Sequence, residues 1–125
     1  MARPTRELTD RELEVMHVFW ERGEMTASEA RDALAEGGHD LAYVTVANLT
    51  RILWEKSFLG IANQQRPFRY MPLRSFAEVS RNFVGDLVER VFKGSREQLI
   101  VNLFGRKRLT AKERTALQKI LKGQK

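Results

Sequence analysis

The chain of 125 residues is 42% hydrophobic and 30% charged, which fits a folded domain and excludes a disordered chain. It has no cysteine, no apolar run near the roughly 18 residues of a membrane span and no apolar stretch within Met1–Asp10. We therefore exclude disulfides and cysteine-based zinc sites, and we expect a cytoplasmic protein without a secretory signal or membrane insertion.

The net charge of +6 is unevenly distributed, at −4 through Gly60 and +10 over the rest of the chain. Such a basic balance favours a polyanionic partner such as nucleic acid.

Five capping boxes divide the sequence into helices. They are the pairs Thr9/Glu12, Thr26/Glu29, Ser75/Glu78, Ser95/Gln98 and Thr110/Glu113. In such a pair the hydroxyl accepts the amide of the third helical residue, and the acidic or amide side chain reaches back to the cap amide. Each pair precedes an apolar stretch with helical periodicity, so we predict five helix starts.

The first three predicted helices are amphipathic. They cover about residues 10–22, with Leu13, Met16 and Trp20 inward, about 27–35, and about 42–56. The third helix lacks a capping box, so Asp40 is its predicted N-cap. Its predicted apolar face is Ala42, Val46, Leu49 and Leu53, and its opposite face is Val44, Thr45, Asn48, Arg51 and Glu55.

Apolar and polar residues then alternate with a period of two, which predicts a β-hairpin of residues 59–62 and 68–72 around the polar turn 63–67. We expect a short strand near Met25, which can pair with this hairpin. The order helix, strand, helix, helix, hairpin is typical of a winged helix-turn-helix. We therefore predict a mainly α fold with a small antiparallel β wing, the DNA-binding domain at 1–73 and a three-helix dimerisation arm at 74–125.

The arm carries more apolar surface than a single chain can bury. Its first helix, of about 17 residues, has two apolar stripes, and a small domain cannot cover both. A homodimer interface is the natural way to bury them. The predicted interface residues are Phe76, Val79, Phe83, Val84, Leu87, Val88, Val91, Leu99, Leu103, Leu117, Ile120 and Leu121.

In a winged helix the third helix can lie in the DNA major groove, and its outer face here suits that position. Thr45 and Asn48 offer hydrogen bonds, Tyr43 and Val44 offer apolar contact to a thymine methyl, and Arg51 reaches guanine or phosphate. Simpler interpretations stay open at this point. Thr45 and Asn48 are also compatible with plain solvation, Tyr43 with core packing, and Arg51 with an ion pair to Glu55.

The hairpin and the start of the second helix add further candidate DNA contacts. Arg66 at the hairpin tip and Arg69 just after it are suited to the DNA backbone or a narrow minor groove. The alternative is an edge strand protected by its charge. Thr26 and Ser28 begin the second helix, whose amides suit a phosphate, although simple capping explains them equally well.

Several segments resemble the penicillinase repressors of the BlaI/MecI type. They are 8–16 followed by Trp20, 41–47, 51–56, 68–72, and 87–92 followed by Gly94, Ser95 and Leu99. The resemblance runs from Leu8 to Leu121. It implies a homodimer that represses resistance or stress genes from a dyad-symmetric operator of double-stranded DNA. It also implies contacts at the positions matching Val44, Thr45, Asn48 and Arg66. With no cysteine and no metal-ligand spacing at the histidines, we expect no metal or other cofactor.

In some members of that family a membrane-bound sensor protease cuts the arm, and the matching bond here is Asn102–Leu103. The resistance repressors have phenylalanine where this chain has Leu103. Ser57 replaces the usual glycine after the third helix, and Gln65 replaces a wing glycine, so both turns are expected to differ in geometry.

Two other function classes were weighed against a repressor. A winged helix that joins proteins without binding DNA is expected to show a hydrophobic or acidic third-helix face, whereas this face is polar with an arginine. An enzyme is disfavoured because His17 and His39 come with no triad or metal-ligand spacing. Glu12 and Glu14 are expected to be a solvated helix start.

Overall fold

Across residues 8–124, which the computed structural model describes, six helices and three short strands follow one another. They are α1 (Asp10–Arg22), β1 (Met25–Thr26), α2 (Ala27–Glu36), α3 (Tyr43–Glu55), β2 (Leu59–Ile61), β3 (Arg69–Pro72), α4 (Phe76–Arg90), α5 (Arg96–Phe104) and α6 (Ala111–Lys122). The predicted fold, a winged helix-turn-helix followed by three helices, is confirmed.

The chain divides into two compact units, Met1–Phe83 and Val84–Lys125. The boundary falls within α4, whereas the sequence placed a domain boundary before that helix, at residue 73. A division of function at residue 73 stays a prediction. None of the helices within residues 8–124 combines the length and the apolar character that crossing a bilayer requires.

Helix starts follow the predicted capping pattern, with one exception. Thr9, Thr26 and Thr110 form complete capping boxes, and at Ser75 and Ser95 the hydroxyl accepts the amide three residues on. The predicted Asp40 cap of α3 is wrong, because Ala42 is the N-cap and makes no side-chain capping bond. Ala42 is extended, so the helix starts only at Tyr43 and Asp40 lies too far back to reach its first amides.

The wing is a three-stranded antiparallel sheet with β3 in the centre. On one side of β3, Met25 of β1 pairs with Tyr70, which confirms the predicted strand near Met25. On the other side, Ile61 of β2 pairs with the same Tyr70. The sheet thus ties the hairpin to the start of α2.

The core of the N-terminal unit lies between α1, α2, α3 and the sheet, and it includes Val15, Met16, Phe19, Leu34, Leu53, Phe58 and Leu59. Val79 of α4 is 3% exposed within this core, and Phe83 packs against it. Val79 therefore packs within its own chain, while the place of the partly buried Phe83 in a dimer interface stays a prediction. Val88 is likewise buried within its own chain, whereas Ala42, predicted to be apolar and inward, is exposed.

Glu12 does not belong to a solvated helix start, because it is only 4% exposed. Its Oε1 accepts the Thr9 amide at 3.0 Å and lies 2.8 Å from the Nζ of Lys56, which follows α3. A buried carboxylate needs a partner of opposite charge, and Lys56 supplies it from a point 44 residues away. The ion pair joins the start of α1 to the end of α3.

Ser57 occupies the left-handed conformation that ends α3, with φ of 66°. Because a Cβ is strained there, we expect Ser57→Gly to raise the free energy of unfolding by about 0.5–1 kcal/mol, measured by urea titration. The control is Ser95→Gly, at a residue with φ of −89°, which we expect to bring no gain. An unchanged or lower stability of Ser57→Gly contradicts the prediction.

Candidate nucleic-acid interface

The outward face of α3 is the face that the sequence predicted. Tyr43 is 47% and Val44 is 67% exposed, and Thr45, Asn48 and Arg51 are exposed beside them. The face toward the core carries the buried Val46, Thr50 and Leu53, which recur at helical spacing. Tyr43 is therefore not a core residue, and a helix with one free polar face is available to a partner.

A groove of about 910 Å³ runs between the start of α2, one side of α3 and the wing. It is lined by Thr26, Ala27, Ser28, Tyr43, Ala47, Asn48, Thr50, Arg51, Trp54, Ile61, Arg66, Pro67, Phe68 and Tyr70. The fold thus brings six of the nine predicted DNA contacts to one groove. Val44 and Thr45 lie on the adjoining exposed face of α3, and Arg69 is not among the lining residues.

The wing tip is closed by Asn63. Its Nδ2 donates to the carbonyls of Gln65 at 2.8 Å and Pro67 at 3.0 Å, and its Oδ1 accepts the Arg69 amide at 2.8 Å. Arg66 stands exposed on this loop, with its guanidinium 5.3 Å from the centre of the Phe68 ring. The loop therefore presents the Arg66 charge in a defined place beside the groove.

The start of α2 shows the capping arrangement for Thr26. The Thr26 hydroxyl accepts the Glu29 amide at 3.1 Å, and a Glu29 carboxylate oxygen accepts the Thr26 amide at 2.9 Å. Ser28 is exposed in the first turn and lines the groove. The capping role is confirmed for Thr26, and contact of either hydroxyl with a phosphate stays a prediction.

Arg51 forms the surface ion pair that was its alternative role. Its Nη1 lies 2.9 Å from the Glu55 carboxylate, one helical turn on, and both side chains are about half exposed. An exposed pair of this kind is worth less than about 1 kcal/mol, so exchanging Glu55 for a DNA phosphate costs little. The pair is compatible with a DNA contact by Arg51 and does not demonstrate one.

Arg69 is held by two carboxylates. Its Nε donates to Glu24 Oε2 at 2.6 Å, its Nη1 to Glu29 Oε1 at 3.2 Å and its Nη2 to the Glu24 carbonyl at 3.3 Å. The hydrogen bond to Glu24 raises the pKa of Arg69. The Thr26 amide, and then the charge of Arg69, hold the pKa of Glu29 below its ordinary value.

A sequence profile of the family described as Penicillinase repressor matches residues 8–123. The chain belongs to the penicillinase repressor family. It is similar to the methicillin resistance regulatory proteins MecI of Mammaliicoccus sciuri and Staphylococcus aureus, at 23% identity over 121 residues. Each match covers 97% of this chain and 98% of the relative. As a penicillinase repressor, the chain is a DNA-binding transcriptional regulator and not an enzyme.

The groove of this penicillinase repressor has walls that the sequence interpretation missed. Trp54, half exposed on α3, and Phe68 and Ile61 of the wing line it without having been named as candidates. The signal for Trp54 was present, because residues 47, 51 and 54 share one helical face. Phe68 and Ile61 were assigned to a hairpin, but nothing local shows that they would face α3.

The arm helices of this penicillinase repressor leave large apolar side chains exposed. They are Val84, Leu87, Val91, Ile100, Val101, Leu103, Ile120 and Leu121. Six of these were predicted interface residues, and Ile100 and Val101 were not. The other predicted interface residues of this unit are the partly exposed Leu99 and Leu117 and the buried Val88. Exposed apolar surface on this scale is typical of an interaction site.

Proposed function

We propose that this repressor acts as a homodimer on a dyad-symmetric DNA operator, with α3 in the major groove and the wing on the adjoining backbone. The observation that supports the proposal is the convergence of Tyr43, Asn48, Arg51 and Arg66 on one open groove beside the exposed face of α3. A polar helix face with a cation at its edge suits base readout better than docking of an apolar protein partner.

Specificity and affinity are expected to arise from different parts of this surface. Thr45 and Asn48 are short polar side chains that suit base edges, while Arg66 carries a sequence-independent charge. In the described part of the chain α3 begins without a side-chain cap, so its first amides stay open to a phosphate or water. The basic second half of the chain adds to the attraction, so affinity is expected to fall steeply with salt.

Dimerisation supplies the symmetry that a palindromic operator requires. The exposed apolar residues of α4, α5 and α6 are the surface available for a second copy. Each substitution on α3 or the wing is then present twice in the complex, so its energetic effect on DNA binding is doubled.

The proposal also includes release of the repressor from DNA by proteolysis, which rests on the family resemblance. Asn102–Leu103 lies within α5, both side chains are exposed, and Asn102 Nδ2 donates to the Gln98 carbonyl at 3.0 Å. A cut there separates α6, with Ile120 and Leu121, from the rest of the chain, and so removes part of the proposed interface. The protease, a membrane-bound sensor in the family, stays a predicted partner.

The test is the salt dependence of Arg66→Ala binding to a duplex selected from a random-sequence library with the wild-type protein. We expect about tenfold weaker binding to every sequence, and a salt slope smaller by about 1.8, from one lost phosphate contact on each wing. The matched control is Arg81→Ala, an exposed arginine of α4 that is not in the groove. Equal affinities and slopes for the wild type and Arg66→Ala contradict the proposed wing contact.

A further inference from the structure

Arg69 does not line the groove, although its chain neighbours Phe68 and Tyr70 both do. Successive side chains of a strand point to opposite faces of its sheet, so the Arg69 side chain leaves the face that carries Tyr70. Its guanidinium meets Glu24, in the turn before β1, and Glu29, in the first turn of α2.

The backbone of Arg69 is the point where the wing tip closes. Its amide donates to Asn63 Oδ1 at 2.8 Å, and its carbonyl accepts the Ala62 amide at 2.7 Å. One residue thus joins the loop that carries Arg66, through its backbone, to the start of α2, through its side chain. The planar guanidinium fork fits this double attachment, because it donates to two carboxylates and a carbonyl at once.

A phosphate contact by Arg69 would replace three hydrogen bonds, whereas one by Arg51 would replace a single ion pair. Three nitrogens of the Arg69 guanidinium already donate to Glu24 or Glu29. If the guanidinium turned to a DNA phosphate, the carboxylates of Glu24 and Glu29 would lose their cation beside the negatively charged DNA. The raised pKa of Arg69, caused first by its hydrogen bond to Glu24, agrees with this attachment.

We propose that Arg69 is a positioning residue that fixes the wing against the first turn of α2, and so sets where Arg66 meets the DNA, without touching DNA itself. The proposal rests on the proposed function for its effect on DNA binding. The attachment itself is a property of the free protein. A wing fixed before binding loses less conformational freedom on the DNA.

The test compares Arg69→Gln and Arg69→Lys with the wild type. Lysine keeps the charge but cannot reproduce the fork, so both variants are expected to weaken binding to the selected duplex about three- to tenfold. Both are expected to change the salt slope by less than about 0.5, because no phosphate contact is lost. In the free protein both are expected to speed hydrogen exchange at the Ala62 amide at least about threefold, because its acceptor is the Arg69 carbonyl.

The matched control is Arg31→Gln, which removes an α2 arginine paired with its neighbour Asp32 at 3.1 Å and is expected to leave exchange at Ala62 unchanged. The proposal is overturned in favour of a phosphate contact if Arg69→Lys binds DNA as the wild type does and Arg69→Gln lowers the salt slope of binding by about 1.8. Unchanged exchange at Ala62 in both variants also overturns it. Faster exchange at Ala62 in a protein that binds no duplex supports the attachment and refutes the proposed function instead.

Discussion

Replacing Leu103 with aspartate is expected to convert the proposed homodimer into monomers and to weaken operator binding by at least about 100-fold. Leu103 is 61% exposed on α5 of a single chain, where a large apolar side chain gains by burial against a second copy. A symmetric interface receives the new carboxylate twice, and each unpaired buried charge costs several kcal/mol. Sedimentation equilibrium measures the association, and a gel shift with the selected duplex measures the DNA affinity.

The adjacent Asn102 offers a matched control for Leu103→Asp. Asn102→Asp adds the same charge to the same helix at a polar, exposed side chain outside the predicted interface. We expect this variant to stay dimeric and to bind DNA within about threefold of the wild type. A dimeric Leu103→Asp protein with unimpaired binding would remove Leu103 from the interface.

Replacing Asn48 with aspartate is expected to weaken specific DNA binding by about 30-fold or more while the fold and the proposed dimer stay intact. Asn48 is exposed on α3 and lines the groove, so its side chain is available to base edges. A bidentate side-chain contact to a base is worth about 1–3 kcal/mol, and it is lost from both half-sites. The carboxylate adds repulsion from the DNA backbone. Fluorescence anisotropy on the selected duplex measures the loss.

Two further variants separate base readout at Asn48 from a general charge effect. Asn48→Ala is expected to alter which sequences are selected from a random library, because it removes hydrogen bonds without adding charge. Asn82→Asp places the same carboxylate on an exposed site of α4 outside the groove, and is expected to bind nearly as the wild type does. If Asn48→Ala selects the same sequences as the wild type, Asn48 does not read bases.

The parts of the fold that depend on local chemistry were predictable. The start of α1 follows from the Thr9 capping box, which is confirmed, and the helix ends at Gly23, whose φ of 83° suits a glycine. The outward face of α3 follows from helical spacing alone. The hairpin follows from alternation on both sides of a polar turn, and β1 pairs with it as expected.

The features that the sequence did not predict arise from contacts between residues far apart in the chain. A carboxylate at a helix start is usually solvated, and only the fold brings Lys56 to Glu12. A wing arginine is an obvious DNA candidate, and only the pairing of β1 with β3 places Arg69 against Glu24 and Glu29. The apolar period of α4 does not show that Val79 is buried within its own chain while Val84 stays exposed.

A hydroxyl-radical footprint on the selected duplex tests most directly whether the outward face of α3 enters a DNA groove twice in a symmetric pair. We predict two protected segments related by a dyad, with their centres about 10–10.5 base pairs, or a multiple of that spacing, apart. Asn48→Asp is expected to erase both at the same protein concentration. A single protected segment without a dyad, or no protection of any duplex by the wild type, contradicts the symmetric binding of two α3 helices to DNA.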